Sequence, residues 1–295
     1  MRENNSMEQN TFQSRRSFIF TPGNRPELFN KALKSGADIV CVELEDGVAP
    51  HNKSEAREKM LELFENPHPL DGIERVVRVN CLRTSEGIAD LEAILRTNCQ
   101  VPSIMMPKVK GPEEVHGLAE TLKESGLRTE IQAIIETNEG LEAAYEIAQA
   151  TDRLTALLFG AVDLAAELRC SNNWESLLYA RSRTVHAGAT SGIDVIDVPW
   201  IDLEDMEGMR QEAESSNSLG FTGKGAIHPK QISTLNEVFT PSIEEVNYAK
   251  KVIKAFKEAN TGVVVVDGKL IEQPVLLSMQ RILALSEKTN NKKIA

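Results

Sequence analysis

Carboxylates collect where short apolar runs of this sequence end. VCVELEDGVAP carries Glu43, Glu45 and Asp46 directly after a β-branched run, IIETNEG carries Glu136, and FGAVDLA carries Asp163. Glu136 and Asp163 stand 27 positions apart, the length of one strand plus its returning helix, so both reach the same rim if successive strands are parallel neighbours. Paired carboxylates with no histidine or cysteine beside them are oxygen-only donors, the ligand type of Mg2+ or Mn2+ rather than zinc. Water and substrate would complete the shell. The alternative is that each acid caps the helix after it, and the spacing admits both readings. Arg78, in VRVN with Asn80, lies in an otherwise apolar run. A guanidinium there either receives a substrate carboxylate in bidentate fashion or is tied down by Glu43 or Glu45. The ELED cluster likewise belongs to the chemistry or forms a capping group beside Lys53 and Arg57.

Other patterns carry less. FTGKGAIHP lacks the full spacing of a phosphate-binding loop, and His228 before Pro229 reads as positional more readily than as a base. The four cysteines, Cys41, Cys81, Cys99 and Cys170, show no CxxC spacing and read as reduced, buried thiols.

Eight strand-like runs position these groups: 17–20, 38–43, 75–80, 103–106, 130–135, 155–159, 193–198 and 225–227. Amphipathic segments lie between them, with starts at Pro26, Ser54, Pro112 and Pro229. Right-handed βα units repeated eight times predict a closed (β/α)8 TIM barrel, since doubly wound open sheets usually stop at about five to seven strands. The glycines of the last run would allow close approach of a ligand. Beyond the barrel, 242–259 reads as a helix, VVVVDGKLIE as two strands around the turn pair Asp267-Gly268, and Pro274 as the start of a last helix. We therefore expect a disordered tail over 1–15, a barrel over 16–240 and a helix-hairpin-helix appendage over 241–295. The appendage is too small to bury its own apolar faces and should pack on the barrel or on another subunit.

With 295 residues and a net charge of −11, and with no Lys/Arg block, the chain is a poor partner for nucleic acid or an anionic membrane. A small-molecule partner follows. The first fifteen residues contain no apolar stretch of the signal-peptide kind, and no run is long enough to span a bilayer, so a cytoplasmic location is expected.

RRSFIFTPGNRPELFNKALKSGADIVCVELEDGVAPHNKSEAR, VRVN, IMMPK, IIETNEG, FGAVDLA, GKGAIHPKQI and VVVVDGK, in that order, resemble the citrate lyase β-subunit-like branch of the HpcH/HpaI aldolase family. The resemblance covers the chain from about Arg16 to the final helix. It implies a barrel enzyme, a metal-dependent carbon–carbon lyase that cleaves a β-hydroxyacyl-CoA of malyl, methylmalyl, citramalyl or citryl type to an acyl-CoA and a keto acid. It further implies Mg2+ at Glu136 and Asp163, and Arg78 on the carboxylate of the keto-acid fragment. Asp267 would reach from the appendage into a neighbouring subunit's site, in a trimer or hexamer. Glu43 stands where many relatives carry the shorter Asp. Glu43, Asp46, Pro22 and Gly23 are expected to line the substrate pocket, Glu45, or a metal-bound water that it orients, to take the hydroxyl proton, and Asp267 to protonate the leaving carbon. Two other outcomes fit the same residues: a thioesterase releasing free CoA, and a β subunit that works only within a carrier-dependent citrate lyase complex.

Overall fold

The computed structural model describes residues 14–291, apart from 67, 70, 98, 260 and 261. The expected tail therefore falls, up to residue 13, outside the described residues. Eight parallel strands close into a barrel in sequence order: β1 Ser17–Pro22, β2 Ile39–Glu43, β3 Glu74–Arg78, β4 Ser103–Met106, β5 Glu130–Ile135, β6 Leu154–Phe159, β7 Asp194–Asp197 and β8 Gly223–Ala226. Pairing of β1 with both β2 and β8 completes the ring. This is the predicted (β/α)8 architecture, with a helix pair in place of a single helix after β5 (Asn138–Glu142, Ala144–Ala148) and after β6 (Ala161–Leu168, Trp174–Ser191).

Alternation along the strands divides the buried residues into two layers. Phe18, Ile39, Cys41, Val76, Met105, Ile134, Ala156, Leu158 and Ile196 form one cluster. Their sequence neighbours Ile19, Val40, Val42, Val77, Ile104, Met106, Ala133, Ile135, Leu157 and Val195 belong to a second, which also contains the helix residues Met60, Ile94, Leu122 and Leu177. Successive side chains on a strand point to opposite faces, so the first cluster fills the barrel and the second joins it to the helices. The same parity points Glu43 and Arg78 inward at the ends of β2 and β3, and Glu136 just past β5.

Two expectations about the barrel need correction. The tail does not reach residue 15: Arg15 is almost fully buried, with Nε 2.6 Å from Glu74, further contacts to Glu130 and Asp194, and Nη1 donating to the Thr155 carbonyl at 2.7 Å. A cation surrounded by acids from β3, β5 and β7 is an integral part of the barrel base. The glycines of β8, expected to admit a ligand, admit the chain itself. A Cβ on Gly223 would lie 1.9 Å from the Arg15 carbonyl oxygen, and one on Gly225 would lie 2.6 Å from Pro199 Cγ.

Residues Arg15–Phe239 form one compact unit, and the chain from Thr240 belongs to a second. In the second, the helix Ile243–Ala259 is followed by the antiparallel hairpin β9 Val263–Val266 and β10 Lys269–Glu272, then by the helix Gln273–Asn291. Contrary to expectation it buries a small core of its own, Val252, Val266 and Ile271, with Tyr248, Phe256 and Met279 packed on it. Val265, Leu270 and Leu277 stay exposed. Cys41, Cys81 and Cys99 are buried and Cys170 is half-buried, all four as free thiols. Among the described residues, no helix is long and apolar enough to cross a membrane.

Candidate functional site

At the mouth of the barrel β2 pairs with β3 so that Glu43 lies opposite Arg78. Arg78 Nε donates to Glu43 Oε2, its Nη1 is 3.4 Å from Glu45 Oε2, and its guanidinium lies over the Phe20 ring at 5.1 Å. Glu43 Oε1 in turn accepts from the Glu45 backbone N–H. The longer reach of Glu over Asp serves both bonds. Gly47 makes room for this fold-back, since a Cβ there would lie 2.8 Å from Glu43 Cγ. Burial raises the Glu43 pKa, against the pull of Arg78. Burial also opposes the Arg78 cation, but Glu43 and Glu45 outweigh it and hold its pKa above the ordinary value.

The salt-bridge reading of Arg78 is therefore realised in this structure. The capping reading of ELED is not: Lys53 Nζ donates to the carbonyls of Leu44 and Glu45 at 2.7 and 2.6 Å, and Arg57 pairs with Asp90 and Glu86 instead. Asn80 is held by Asp90, through its backbone N–H at 2.8 Å and its amide at 2.7 Å. Pro22, opposite Glu43, ends β1, and Gly23 N–H donates to the Glu43 carbonyl at 2.8 Å. A Cβ on Gly23 would meet Leu44 Cδ2 at 2.7 Å, so this position supports the ELED turn through backbone contact.

Glu136 follows β5, is 3% exposed, and accepts from the Lys108 backbone N–H at 2.7 Å. Its pKa is pushed up to about 8, first by burial and next by the charge of Asp163. It caps no helix. Thr137 does that for Asn138–Glu142, its Oγ1 accepting from Gly140 N–H at 2.9 Å. Asp163 sits in the first turn of Ala161–Leu168, where the positive helix terminus suits an acid, and its side chain is 40% exposed. Gly160 precedes that helix because a Cβ there would lie 2.4 Å from Glu136 Cβ and 2.5 Å from its Oε2.

Lys108, in the IMMPK motif, received no role from the sequence. Its Nζ lies 2.6 Å from Glu45, 3.3 Å from Asp46 and 3.9 Å from Asp163. Burial works against this cation, but Glu45 and then Asp46 and Asp163 raise its pKa above the ordinary value. The available signal was its place two residues past β4, near the strand-end position that singled out the acids. Two remaining residues stand apart. His228 caps a 3-10 turn, its Nδ1 accepting from Lys230 N–H at 3.1 Å, which is the positional role. Asp267 lies in the second unit, at the β9–β10 turn, with Gly268 beside it; both have left-handed φ, 50° and 75°, and Lys251 Nζ is 2.5 Å from its Oδ1.

One mouth thus gathers Glu43, Glu45, Asp46, Arg78, Lys108, Glu136 and Asp163. Among the described residues, no group of three or more His, Cys, Asp or Glu is arranged to hold an ion. Glu136, raised first by burial and next by the charge of Asp163, fits a hard cation, because a dication near both carboxylates would outweigh their mutual repulsion.

The model of the HpcH/HpaI aldolase/citrate lyase family matches residues 16–229. The mitochondrial citramalyl-CoA lyase of Rattus norvegicus is 31% identical, over 97% of this chain and 90% of its own length. The citrate lyase subunit beta of Leuconostoc mesenteroides subsp. cremoris is 34% identical, over 94% and 95%. Among solved structures, CitE from Mycobacterium tuberculosis in complex with magnesium, acetoacetate and coenzyme A superposes with a TM-score of 0.79 at 29% identity, covering 94% of this chain and 99% of that one.

Proposed function

The chain belongs to the HpcH/HpaI aldolase/citrate lyase family, and from that premise we propose that it is a lyase. It would cleave a carbon–carbon bond of a β-hydroxyacyl-CoA thioester and release an acyl-CoA and a keto acid. Glu136 and Asp163 are the proposed ligands of Mg2+, with Mn2+ an alternative. The observation that carries this reading is the buried Glu136 carboxylate, raised to about 8 next to a second acid inside an arginine-bearing mouth. A relative named for citramalyl-CoA cleavage, and a structural neighbour solved with magnesium, acetoacetate and coenzyme A, support the substrate class.

When bound, Mg2+ supplies Lewis-acid stabilisation of the negative charge that develops on the substrate's hydroxyl oxygen. Arg78, braced on its Nε side by Glu43 and stacked on Phe20, is assigned to the carboxylate of the keto-acid fragment, which its planar fork matches. Glu45, steadied by Lys108 and Arg78, is assigned as the base that takes the hydroxyl proton. The C–O bond then becomes a carbonyl as the adjacent carbon–carbon bond breaks, and the electron pair passes to the thioester enolate. Asp267, delivered by the appendage of a neighbouring copy, is assigned to protonate that carbon. Glu43, Asp46, Pro22 and Gly23 complete the substrate-facing rim. The exposed Val265 and Leu270 of the hairpin are the apolar surface expected to meet that copy, in a cytoplasmic trimer or hexamer.

The likeness to a citrate lyase subunit beta favours a second reading, in which the chain acts only with carrier subunits. A panel of β-hydroxyacyl-CoA esters, incubated with purified protein and Mg2+, separates the readings. Acyl-CoA plus keto acid, abolished by EDTA and lowered at least about 100-fold by Asp267→Ala, is the expected result. Free CoA would identify a thioesterase, and no turnover without added partners the carrier-dependent subunit. Undiminished activity of Asp267→Ala would remove the role assigned to that residue.

A further inference from the structure

We propose that Lys108 is a positioning residue of the mouth, and that its left-handed backbone, more than its ammonium, holds Glu136 in place as an ion ligand. The inference rests on the assignment of Glu136 to the metal. Lys108 has φ 54°, a conformation in which the β-carbon of an L-residue crowds its own backbone and which glycine or asparagine enters more easily. Such a conformation persists where the surroundings over-determine it.

Here they do. The Lys108 carbonyl accepts from Arg83 Nη2 at 2.8 Å, and the next carbonyl, of Val109, accepts from Thr137 Oγ1 at 2.9 Å. Lys110 N–H donates to Glu114 Oε1 at 3.0 Å. Gly140 lets the loop lie against the ETNEG turn, since a Cβ there would fall 2.1 Å from the Val109 oxygen. With its flanks held, the left-handed turn directs the Lys108 N–H onto Glu136 Oε1 at 2.7 Å. The other oxygen of Glu136 lies over the bare backbone of Gly160. A hydrogen bond to a ligand carboxylate fixes its orientation, and the loss of such support characteristically weakens metal affinity.

The side chain works on different groups. Its ammonium reaches Glu45, Asp46 and Asp163, and a positive charge there opposes, by Coulomb repulsion, the entry of a second cation. The two functions of Lys108 therefore have opposite effects on an ion. Glycine preserves the turn and deletes the charge, whereas valine deletes the charge and also disfavours the turn, because β-branched residues tolerate positive φ least.

Mg2+ titrated by calorimetry into metal-free Lys108→Gly, Lys108→Ala, Lys108→Val and wild-type protein tests this. The glycine variant should bind at least as tightly as wild type, and the valine variant about tenfold more weakly than the glycine variant, the worth of one charge-assisted hydrogen bond. Alanine should fall between them. If the valine variant does not fold, the alanine and glycine pair carries the test through a smaller difference in the same direction. Equal affinities across the series would overturn the proposal. Glu136→Gln, run in parallel, distinguishes that outcome from failure of the metal assignment: wild-type affinity in this variant would remove Glu136 as a ligand altogether.

Discussion

Two buried carboxylates at the rim of the same barrel are both raised by burial, yet their neighbours leave them shifted in opposite directions. Asp197, at the end of β7, is fully buried among the helices, and burial alone would raise its pKa. Lys224 and Arg181 outweigh that and hold it below the ordinary aspartate value. Lys224 Nζ is 2.6 Å and Arg181 Nε 3.1 Å from its carboxylate, and Ser216 Oγ donates at 2.7 Å. Glu136 faces inward, has a backbone N–H on one oxygen, and is pushed up to about 8 with Asp163 beside it. Where the chain supplies the cation, the acid joins two elements together. Where it supplies a second acid, the carboxyl stays raised despite Arg78, and this is the position proposed above for an ion ligand.

Removing the cation from the first region should give the largest effect. Lys224→Met leaves Asp197 with Arg181 and a nearby Glu212 that also loses its 2.7 Å contact to Lys224. Breaking a buried ion pair on one side costs about 3–5 kcal/mol, measurable by urea unfolding. A loss under about 1 kcal/mol would mean that the two regions do not differ as described.

The second region makes a pH-dependent prediction. Glu136 is protonated up to about 8 in the folded chain, while a glutamate in the unfolded chain ionises near 4.5. Between those values the native state binds more protons, so this group makes stability fall as pH rises, with the full cost present above about 8. In metal-free protein Glu136→Gln should therefore match wild type near pH 4.5 and become progressively more stable than wild type toward pH 8. Parallel stability profiles for the two proteins would contradict the raised Glu136. Asp197 acts in the opposite sense, its contribution being present above the usual aspartate range and lost only as pH falls through its lowered value.

A smaller effect should come from Gly160→Ala. The new methyl would overlap Glu136 Cβ and Oε2, and overpacking of this kind costs about 1–3 kcal/mol. Because the displaced group is the proposed ligand, Mg2+ affinity should weaken with stability. Weakened stability with unchanged affinity would show that the backbone relaxes without moving the carboxylate.

Much of the mouth was legible before the fold was known. Repeated βα units put strand ends at one rim. That logic located Glu43, Glu45, Asp46, Arg78, Glu136 and Asp163 together. Arg15 escaped it because its partners Glu74, Glu130 and Asp194 lie 59 to 179 positions away, and polar composition near a terminus looks the same whether or not a barrel closes around it. The β8 glycines escaped it because close approach by the Arg15 carbonyl depends on ring closure, and close approach by Pro199 on the pairing of β7 with β8.

Local patterns along the chain encode eight strands in order and an acidic rim with one arginine. Which charges meet depends on the closed barrel. Arg78 pairs with Glu43, Lys108 turns its N–H to Glu136 and its ammonium to Glu45, and Asp197 finds two cations while Glu136 finds another acid. Coulomb and hydrogen-bond energies depend on separations of a few ångströms between groups far apart in the chain, and such separations exist only once the barrel has closed.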